Sequence, residues 1–240
     1  MPANSAQVNL DNLHLKLREI ENHYEPEPDD LVDPDKPFLQ IVTYDIRLEG
    51  EDQPVGHILL NIICQKHLLP RCRGMFWPLM DERSNDLMQL ATDVFTDIGI
   101  LRKDIYSPIL QTNRILPWTI DDAGRLKDQP TLYIEELVIK PRWQNKGIGT
   151  WAIQNIFNTD YIRPFNAEYL MAWPTVLRNY ESSHEYEDAL EAKRQRIISF
   201  FRKVGFRRLG TTQFFMLSKD LSHPSRQLRP EDDLPFSKNP

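Results

Sequence analysis

The segment Thr131–Phe157, TLYIEELVIKPRWQNKGIGTWAIQNIF, joins a β-rich run to an amphipathic helix through a glycine turn. The turn, residues 144–150, has glycines at 147 and 149. Glycine permits a positive φ and a close backbone approach, and the first N–H groups of a helix have no partner within it. The segment therefore predicts a strand, a tight turn and a helix N-terminus that can bind an anion such as a phosphate.

The spacing of these glycines excludes two other phosphate-binding turns. A P-loop places lysine and a hydroxyl residue directly after a glycine, as G-K-S/T, and this order does not occur in the turn. The dinucleotide fingerprint needs a third glycine, where this chain has Trp151 or Ala152. Two glycines two residues apart also fit a turn that needs small residues for steric reasons alone.

The segment resembles the acyl-CoA turn of the GNAT superfamily of N-acetyltransferases, Q/R-x-x-G-x-G/A, with Gln144 at its first position. Residues 137–141, LVIKP, are similar to the L-x-V-x-P strand that precedes this turn in the family. Residues 200–206, FFRKVGF, are similar to its F-Y-E-K-L-G-F helix end. The closing run FFMLSKDLSHPS, residues 214–225, also resembles fungal members. The likeness covers roughly residues 38–220.

The resemblance implies an α/β fold with a mixed, mostly antiparallel central sheet and flanking helices. It also implies acetyl-CoA as co-substrate and transfer of its acetyl group to an amine. The strand before the turn would bond the pantetheine through the backbone of Leu137, Val138 and Ile139. The pyrophosphate would lie on the N–H groups of the turn, formed by Gln144, Asn145, Lys146, Gly147, Ile148, Gly149 and Thr150.

The resemblance places a general base on the same strand. Several members carry a carboxylate nine residues before the Q/R position, which is Glu135 here, and Glu136 is the second candidate. Strand alternation would put Glu135 on one face with Tyr133, Leu137 and Ile139, and Glu136 on the other. Two adjacent carboxylates on opposite faces suggest that one of them is structural.

The chain departs from the family pattern at the general acid. Many members carry a tyrosine at the second place of F-Y-E-K-L-G-F, where this chain has Phe201. The leaving thiolate would then take its proton from water or from a residue such as Ser199 or Tyr180, or leave unassisted. The alternative function is a catalytically weak acyl-CoA-binding or protein-interaction module on the same fold.

The remaining patterns predict one domain with two flanking segments. Residues 1–36 are expected to form an N-terminal helix, with Leu13, Leu17 and Ile20 at helical spacing, and an acidic, proline-rich linker. Residues 37–220 form the acyl-CoA-binding domain, and residues 221–240 a polar C-terminal tail. Within the domain, 38–48 and 55–65 are predicted as antiparallel strands, 87–98 as a helix ending at Gly99, 121–124 as a turn, and 167–173 as a strand.

Composition limits the partners that we expect. The net charge of −6 argues against nucleic acid, because that binding depends on phosphate neutralisation by lysine and arginine. Two cysteines and no cluster with zinc-ligand spacing predict no metal and a reducing compartment, the cytoplasm or else the nucleus. Without a membrane-spanning apolar run, we expect no membrane partner. The amine acceptor, a small molecule or a protein, cannot be identified from the chain.

Overall fold

The computed structural model describes residues 8–22, 37–67, 76–106, 117–176 and 184–237. Its strands are β1 (Leu13–Asn22), β2 (Leu39–Leu48), β3 (Gly56–Ile63), β4 (Thr131–Ile139), β5 (Tyr169–Ala172), β6 (Arg207–Arg208) and β7 (Phe215–Ser218). They form one sheet in the order β1-β2-β3-β4-β5-β7-β6. The β4–β5 pair is parallel, and the other neighbouring pairs are antiparallel. The predicted mixed, mostly antiparallel α/β fold is confirmed.

Helices cover both faces of this sheet. They are α1 (Phe76–Asp81), α2 (Asn85–Val94), α3 (Lys103–Tyr106), α4 (Ile120–Asp128), α5 (Ile148–Asn155), α6 (His184–Val204) and α7 (Pro224–Gln227). Short 3₁₀ turns lie at Leu10–Asn12, Gln65–His67, Pro141–Trp143, Ile156–Asn158, Arg163–Phe165 and Pro230–Asp232. One apolar core lies between the sheet and α5 and α6, and a second lies between the sheet and α1, α2 and α4. We call these the α5–α6 face and the α1–α2 face.

The predicted N-terminal helix is wrong, because residues 13–22 form the edge strand β1, paired with β2. A bulge between Leu17 and Glu19 adds one residue to the strand. Leu17 and Ile20 therefore oppose Tyr44 and Val42, which share one face of β2. A spacing of three, which is typical of a helix, arises here from a bulged strand. The segment belongs to the sheet of the domain, and the predicted linker lies mostly in residues 23–36, outside the described ranges.

Two further expectations fail on the α1–α2 face. The predicted turn 121–124 lies inside α4, where Thr119 and Asp122 form a capping box: the Asp122 N–H donates to Thr119 Oγ1 (3.3 Å), and the Thr119 N–H donates to Asp122 Oδ2 (2.6 Å). The helix expected over 87–98 ends at Val94, because the next residue is extended and bridges to Leu101. Gly99, with φ of 75°, lies in the turn that follows.

The C-terminal residues up to 237 pack on the domain and do not form the expected tail. Leu234 is buried in the protein, and Asp233 accepts from the backbone N–H of Arg208 (2.8 Å). His223 Nε2 lies 3.1 Å from Asp122 Oδ1, which also accepts from the Tyr169 hydroxyl (2.5 Å). This buried polar cluster fastens the C-terminal segment to α4 and β5.

We predict that Gly56→Ala lowers the free energy of unfolding by about 1–3 kcal/mol. A Cβ at residue 56 would overlap the Val138 carbonyl oxygen, so β3 and β4 would have to move apart. Urea denaturation measures the effect. The control is Gly124→Ala in α4, where a Cβ meets no atom within 4 Å and we expect a gain of about 0.5–1 kcal/mol. Equal stability of the two variants would contradict the close approach of the strands.

We predict that Asp122 stabilises the fold only above acidic pH. Burial acts to raise the pKa of Asp122, but hydrogen bonds from His223, Tyr169 and Thr119 outweigh it and lower the pKa to about 2. Because the folded pKa lies below the unfolded value near 3.9, this contribution of about 2 kcal/mol is complete above pH 4 and is lost as the pH falls toward 2.

Denaturation of Asp122→Asn across this range provides the measurement. Its deficit in unfolding free energy relative to the unchanged protein should shrink as the pH falls from 4 to 2. The exposed neighbour Asp121 provides a control, because Asp121→Asn should change stability by less than about 1 kcal/mol. A deficit for Asp122→Asn that does not change with pH would contradict the assignment.

Candidate functional site

Strands β4 and β5 form a fork. Their parallel register contains three pairs: Leu132 with Leu170, Tyr133 with Met171, and Ile134 with Ala172. Strand β5 ends there, whereas β4 continues to Ile139. Residues 135–139 of β4 thus have no strand neighbour on the β5 side among the described residues, and this open edge can pair with an extended ligand.

The backbone of β4 alternates between β3 and the fork. The Lys140 N–H donates to Val55 O (2.9 Å), and the Val138 carbonyl lies against Gly56 of β3. Since successive residues of a strand point their polar groups to opposite sides, Leu137 and Ile139 face the fork. Val138, one of the three residues expected to bond the pantetheine, therefore directs its backbone N–H and carbonyl toward β3 and away from the fork.

A β-bulge lies at the mouth of the fork, the point on β4 where its pairing with β5 ends. The register between β3 and β4 steps from Leu59↔Glu136 to Leu60↔Ile134, so Glu135 is the extra residue in β4. A bulge bends its strand and increases the local twist. Here it begins at the residue after Ile134, which forms the last pair with β5. The bulge therefore turns β4 away from β5 where the fork opens.

The bulge puts both candidate carboxylates on one face of the sheet. Glu135 bonds Asn61 and Glu136 bonds His57, and these two residues of β3 are separated by an even number of positions. The expected placement of the two glutamates on opposite faces is wrong. The bulge could not be read from the alternation of apolar and polar residues.

The same shift in register exchanges the faces of the sheet on which the following residues of β4 lie. Leu137 and Ile139 pack against the core of the α5–α6 face, which contains Ile134, whereas Tyr133 is buried on the α1–α2 face. The expected grouping of Leu137 and Ile139 with Tyr133 is also wrong. The carboxylates thus lie on the α1–α2 face, opposite the face that α5 covers.

Two side chains fix the carboxylate of Glu135. The Asn61 Nδ2 donates to Glu135 Oε2 (2.8 Å), and Arg83 NH2 donates to the same oxygen (3.2 Å). The side chain of Glu135 is 14% exposed. Glu135 therefore lies at the mouth of the fork with its Oε2 held by two donors.

Glu136 has a different environment. Its Oε2 lies 3.1 Å from His57 Nε2, and the side chains of Glu136 and His57 are 37% and 30% exposed. The pair lies along the open part of β4, since His57 is the register partner of Val138. Of the two candidates, Glu136 is the more solvated and Glu135 is the one at the fork's mouth.

Tyr133 contributes a neutral hydroxyl below the bulge. Burial, together with the negative charges of Asp86 and Glu135, raises the pKa of Tyr133 well above its usual value. Its side chain is buried and contacts the ring of Phe214. Tyr133 thus stays protonated at neutral pH and adds no charge beside Glu135.

The glycine turn has the conformation that its sequence predicts. Gly147 is the N-cap of α5 with φ of 82°, and Asn145 also has a positive φ of 60°. The N–H groups of the first turn of α5, from Ile148 onward, have no partner within the helix. The cations of Arg142 and Lys146 beside the turn lie 4.9 and 5.0 Å from the ring of Trp143. Arg142 is also ion-paired with Glu51 (2.5 Å), so it is the backbone N–H groups of the turn that can bind an anion.

Gln144 and Gly149 have structural roles in this turn. The Gln144 Nε2 donates to Ile139 O (2.9 Å) and ties the turn to the end of β4. A Cβ on Gly149 would lie 3.1 Å from the ring of Phe200 in α6, which is tighter than ordinary contact. Glycine at 149 thus lets α5 and α6 approach closely.

Phe201, which occupies the position of the family's general acid, lies in the core. Phe201 is buried and packs edge to face against Phe206 and Phe200, with ring centroids 5.0 and 5.3 Å apart. Ser199 is exposed, and its hydroxyl donates to Gln195 O (2.8 Å). Tyr180 lies outside the described residues. Neither Phe201 nor Ser199 offers a proton at the fork.

Cys64 does not provide a nucleophile. It is buried in the core of the α5–α6 face, and burial raises the pKa of its thiol to about 11, although Lys66 acts in the opposite direction. The thiolate is the reactive form of cysteine, so this residue is inert at neutral pH. An acyl-enzyme on Cys64 is therefore excluded.

Sequence reasoning missed three residues on the two arms of the fork. Asn61 is fully buried in the middle of the apolar run ILLNIIC, and a lone polar residue there was the available signal. Arg83, in the turn between α1 and α2, gave no signal. Trp173 directly follows β5 and packs against Phe214 (5.5 Å) on the α1–α2 face.

The fold and this site define a class: an open α/β sheet whose parallel strands part beside a glycine turn that begins a helix. The family model of the GNAT acetyltransferases matches residues 114–206, which are similar to a domain of this family. Such a domain supports acyltransferase activity in general. A comparison with curated proteins finds no match.

No helix among the described residues is long and apolar enough to cross a membrane. The described part of the chain also holds no group of three or more His, Cys, Asp or Glu side chains that could bind a metal ion.

We predict that Cys64 is unreactive in the folded protein. In a Cys72→Ser variant it is the one remaining thiol. Its reaction with a chromogenic disulfide at neutral pH should be at least about 100-fold slower than in denaturant, since little thiolate is present. Equal rates in the two conditions would show that the thiol is accessible.

Proposed function

We propose that the protein is an N-acetyltransferase that moves the acetyl group of acetyl-CoA to an amine by direct attack. The observation that carries this proposal is the fork between β4 and β5, with the glycine turn at the far end of β4 and Glu135 at the fork's mouth. The family match over residues 114–206 supports it. The net charge favours no nucleic acid partner, and we propose a cytoplasmic or nuclear enzyme.

In this proposal the fork binds acetyl-CoA as an added strand. The pantetheine amides pair with the backbone of Leu137 and Ile139, whose polar groups face the fork. The pyrophosphate lies on the N–H groups of the turn, at the positive end of α5. The length of β4 then places the thioester toward the bulge. A backbone N–H that faces the fork near the bulge is available to polarise its carbonyl.

The amine must lose a proton before it attacks. A lysine-like amine with a pKa near 10.4 is mostly cationic at pH 7, which costs about 4–5 kcal/mol. Glu135 Oε1 takes one proton from the ammonium and passes it to solvent. The nitrogen lone pair then forms the N–C bond, the C–S bond breaks, and the leaving thiolate takes a second proton from the nitrogen. The products are an N-acetyl amide, CoA thiol and one released proton.

A second candidate is an acyl-CoA-binding module with little turnover. The observation that favours it is the buried Phe201, because phenylalanine at the position of the family's general acid has no proton to donate. Proton transfer is typically worth about 10²–10⁴-fold, so its loss slows a reaction without abolishing it. Acceptor-dependent release of CoA thiol distinguishes the two candidates.

We predict that acetyl-CoA, but not ATP, raises the thermal midpoint. At 100 times its Kd a ligand adds about 2.7 kcal/mol, or roughly 5–10 °C for a domain of this size. Gly147→Glu should abolish the shift, because a carboxylate and a strained backbone then stand at the N-cap of α5, whose φ is 82°.

Gly50→Glu is the matched control. Gly50 has φ of 83° in the turn between β2 and β3, so the backbone cost is the same, but the phosphate site is not touched. This variant should keep the full shift. Absence of any shift at millimolar acetyl-CoA would contradict the proposed function.

We predict that Glu135→Gln lowers kcat/KM by about 10²–10⁴-fold near neutral pH, with acetyl-CoA binding unchanged. Glu136→Gln, on the same face but paired with His57, should change it by less than tenfold. Thiol release over a range of pH measures both. A larger loss in Glu136→Gln would transfer the role of the base to that residue.

A further inference from the structure

Three buried polar atoms around the fork have no hydrogen-bond partner among the described residues. They are Asn61 Oδ1, Arg83 Nε and Trp173 Nε1. Buried polar atoms in folded proteins are nearly always bonded, so unbonded atoms on both arms of the fork are available to an external partner. One of the three is an acceptor and two are donors.

Two of these atoms belong to side chains that bond Glu135. Asn61 Nδ2 and Arg83 NH2 both donate to Glu135 Oε2, so the unbonded Asn61 Oδ1 and Arg83 Nε lie next to a fixed carboxylate. Trp173 follows Ala172, the partner of Ile134, on the opposite arm of the fork. It packs against the core of the α1–α2 face, on which Glu135 also lies. The two arms thus present these groups on one side of the sheet.

The chemistry of the four groups is divided by charge. Glu135 and Asn61 offer oxygen acceptors, which suit an ammonium group. Arg83 and Trp173 offer N–H donors, and the guanidinium of Arg83 suits a carboxylate. A simple cationic amine would satisfy the acceptors but would meet the positive charge of Arg83. A ligand with both charges close together satisfies both sets.

We propose that the acceptor is an amine with a carboxylate on the neighbouring carbon, as in a free α-amino acid. This assignment rests on the proposed function for its reaction. The ammonium donates to Glu135 Oε1 and Asn61 Oδ1, and the carboxylate accepts from Arg83 and Trp173. A lysine side chain or a protein N-terminus has no carboxylate on that carbon and leaves the two donors unbonded.

The experiment compares acceptors that differ only in the carboxylate. Pools of the common α-amino acids and of the corresponding amides are tested for release of CoA thiol from acetyl-CoA, and the active members are then tested singly with their decarboxylated amines. Loss of a hydrogen bond to a charged group should lower kcat/KM by about 10- to 150-fold from acid to amide, mainly through KM.

Variants of Arg83 test the source of the preference. Arg83→Gln should lower the ratio of kcat/KM for the acid to kcat/KM for the amide to about 1, and Arg83→Lys should restore part of this ratio. Because Arg83 also positions Glu135, a purely structural role would slow acid and amide equally and leave the ratio unchanged. Arg102→Gln is the control, since Arg102 is ion-paired with Asp104 elsewhere on the domain and should leave both ratio and rate unchanged.

The outcomes separate this inference from the proposed function. Amides or plain amines that react as well as the acids, or a ratio that survives in Arg83→Gln, overturn the zwitterion assignment and leave the acetyltransferase standing. If acetyl-CoA neither binds nor reacts, the proposed function fails. Calorimetry with the amino-acid pool then still tests the proposed zwitterion site. Binding that is lost in Arg83→Gln supports this site, and absence of binding overturns it.

Discussion

The parallel pairing of β4 with β5 ends after three residue pairs, and the rest of the site depends on this limit. Two local features cause it. Glu135 bulges out of β4 immediately after the last pair. On the other arm, Pro174 follows Trp173, and proline cannot donate to a strand ladder. If the strands stayed paired, the backbone of Leu137 and Ile139 would be consumed by the sheet and could not receive a ligand.

The bulge also determines which face carries the charge. An unbulged β4 would direct its adjacent glutamates to opposite faces, and one of them would meet the apolar core beneath α5 and α6. The extra residue brings both to the α1–α2 face, where Asn61, Arg83 and His57 provide polar partners. A single inserted residue thus lies where the edge of β4 becomes open and places a carboxylate beside it. It also keeps the opposite core apolar.

The sequence predicts those parts of the fold that depend on local rules. The glycine turn follows from the αL requirement at Gly147, and β2 and β3 follow from their apolar runs. Two of the failures come from register, which one residue can shift. The bulge in β1 imitates helical spacing, and the bulge at Glu135 reverses the faces of the residues after it. Arg83 reaches Glu135 from 52 positions away, and no local pattern carries that contact.

The buried Phe201 is compatible with this arrangement and need not imply a lost function. Its ring lies among apolar side chains of the α5–α6 face, against Phe206 and Phe200. A hydroxyl there would need a partner, and an unbonded one costs about 1–3 kcal/mol. The chain uses this position for packing. In the proposed reaction the proton for the leaving thiolate comes from the attacking nitrogen, which sheds two protons on becoming an amide. As the proposed base, Glu135 accepts only the first of them, so the proposal needs one carboxylate at the fork.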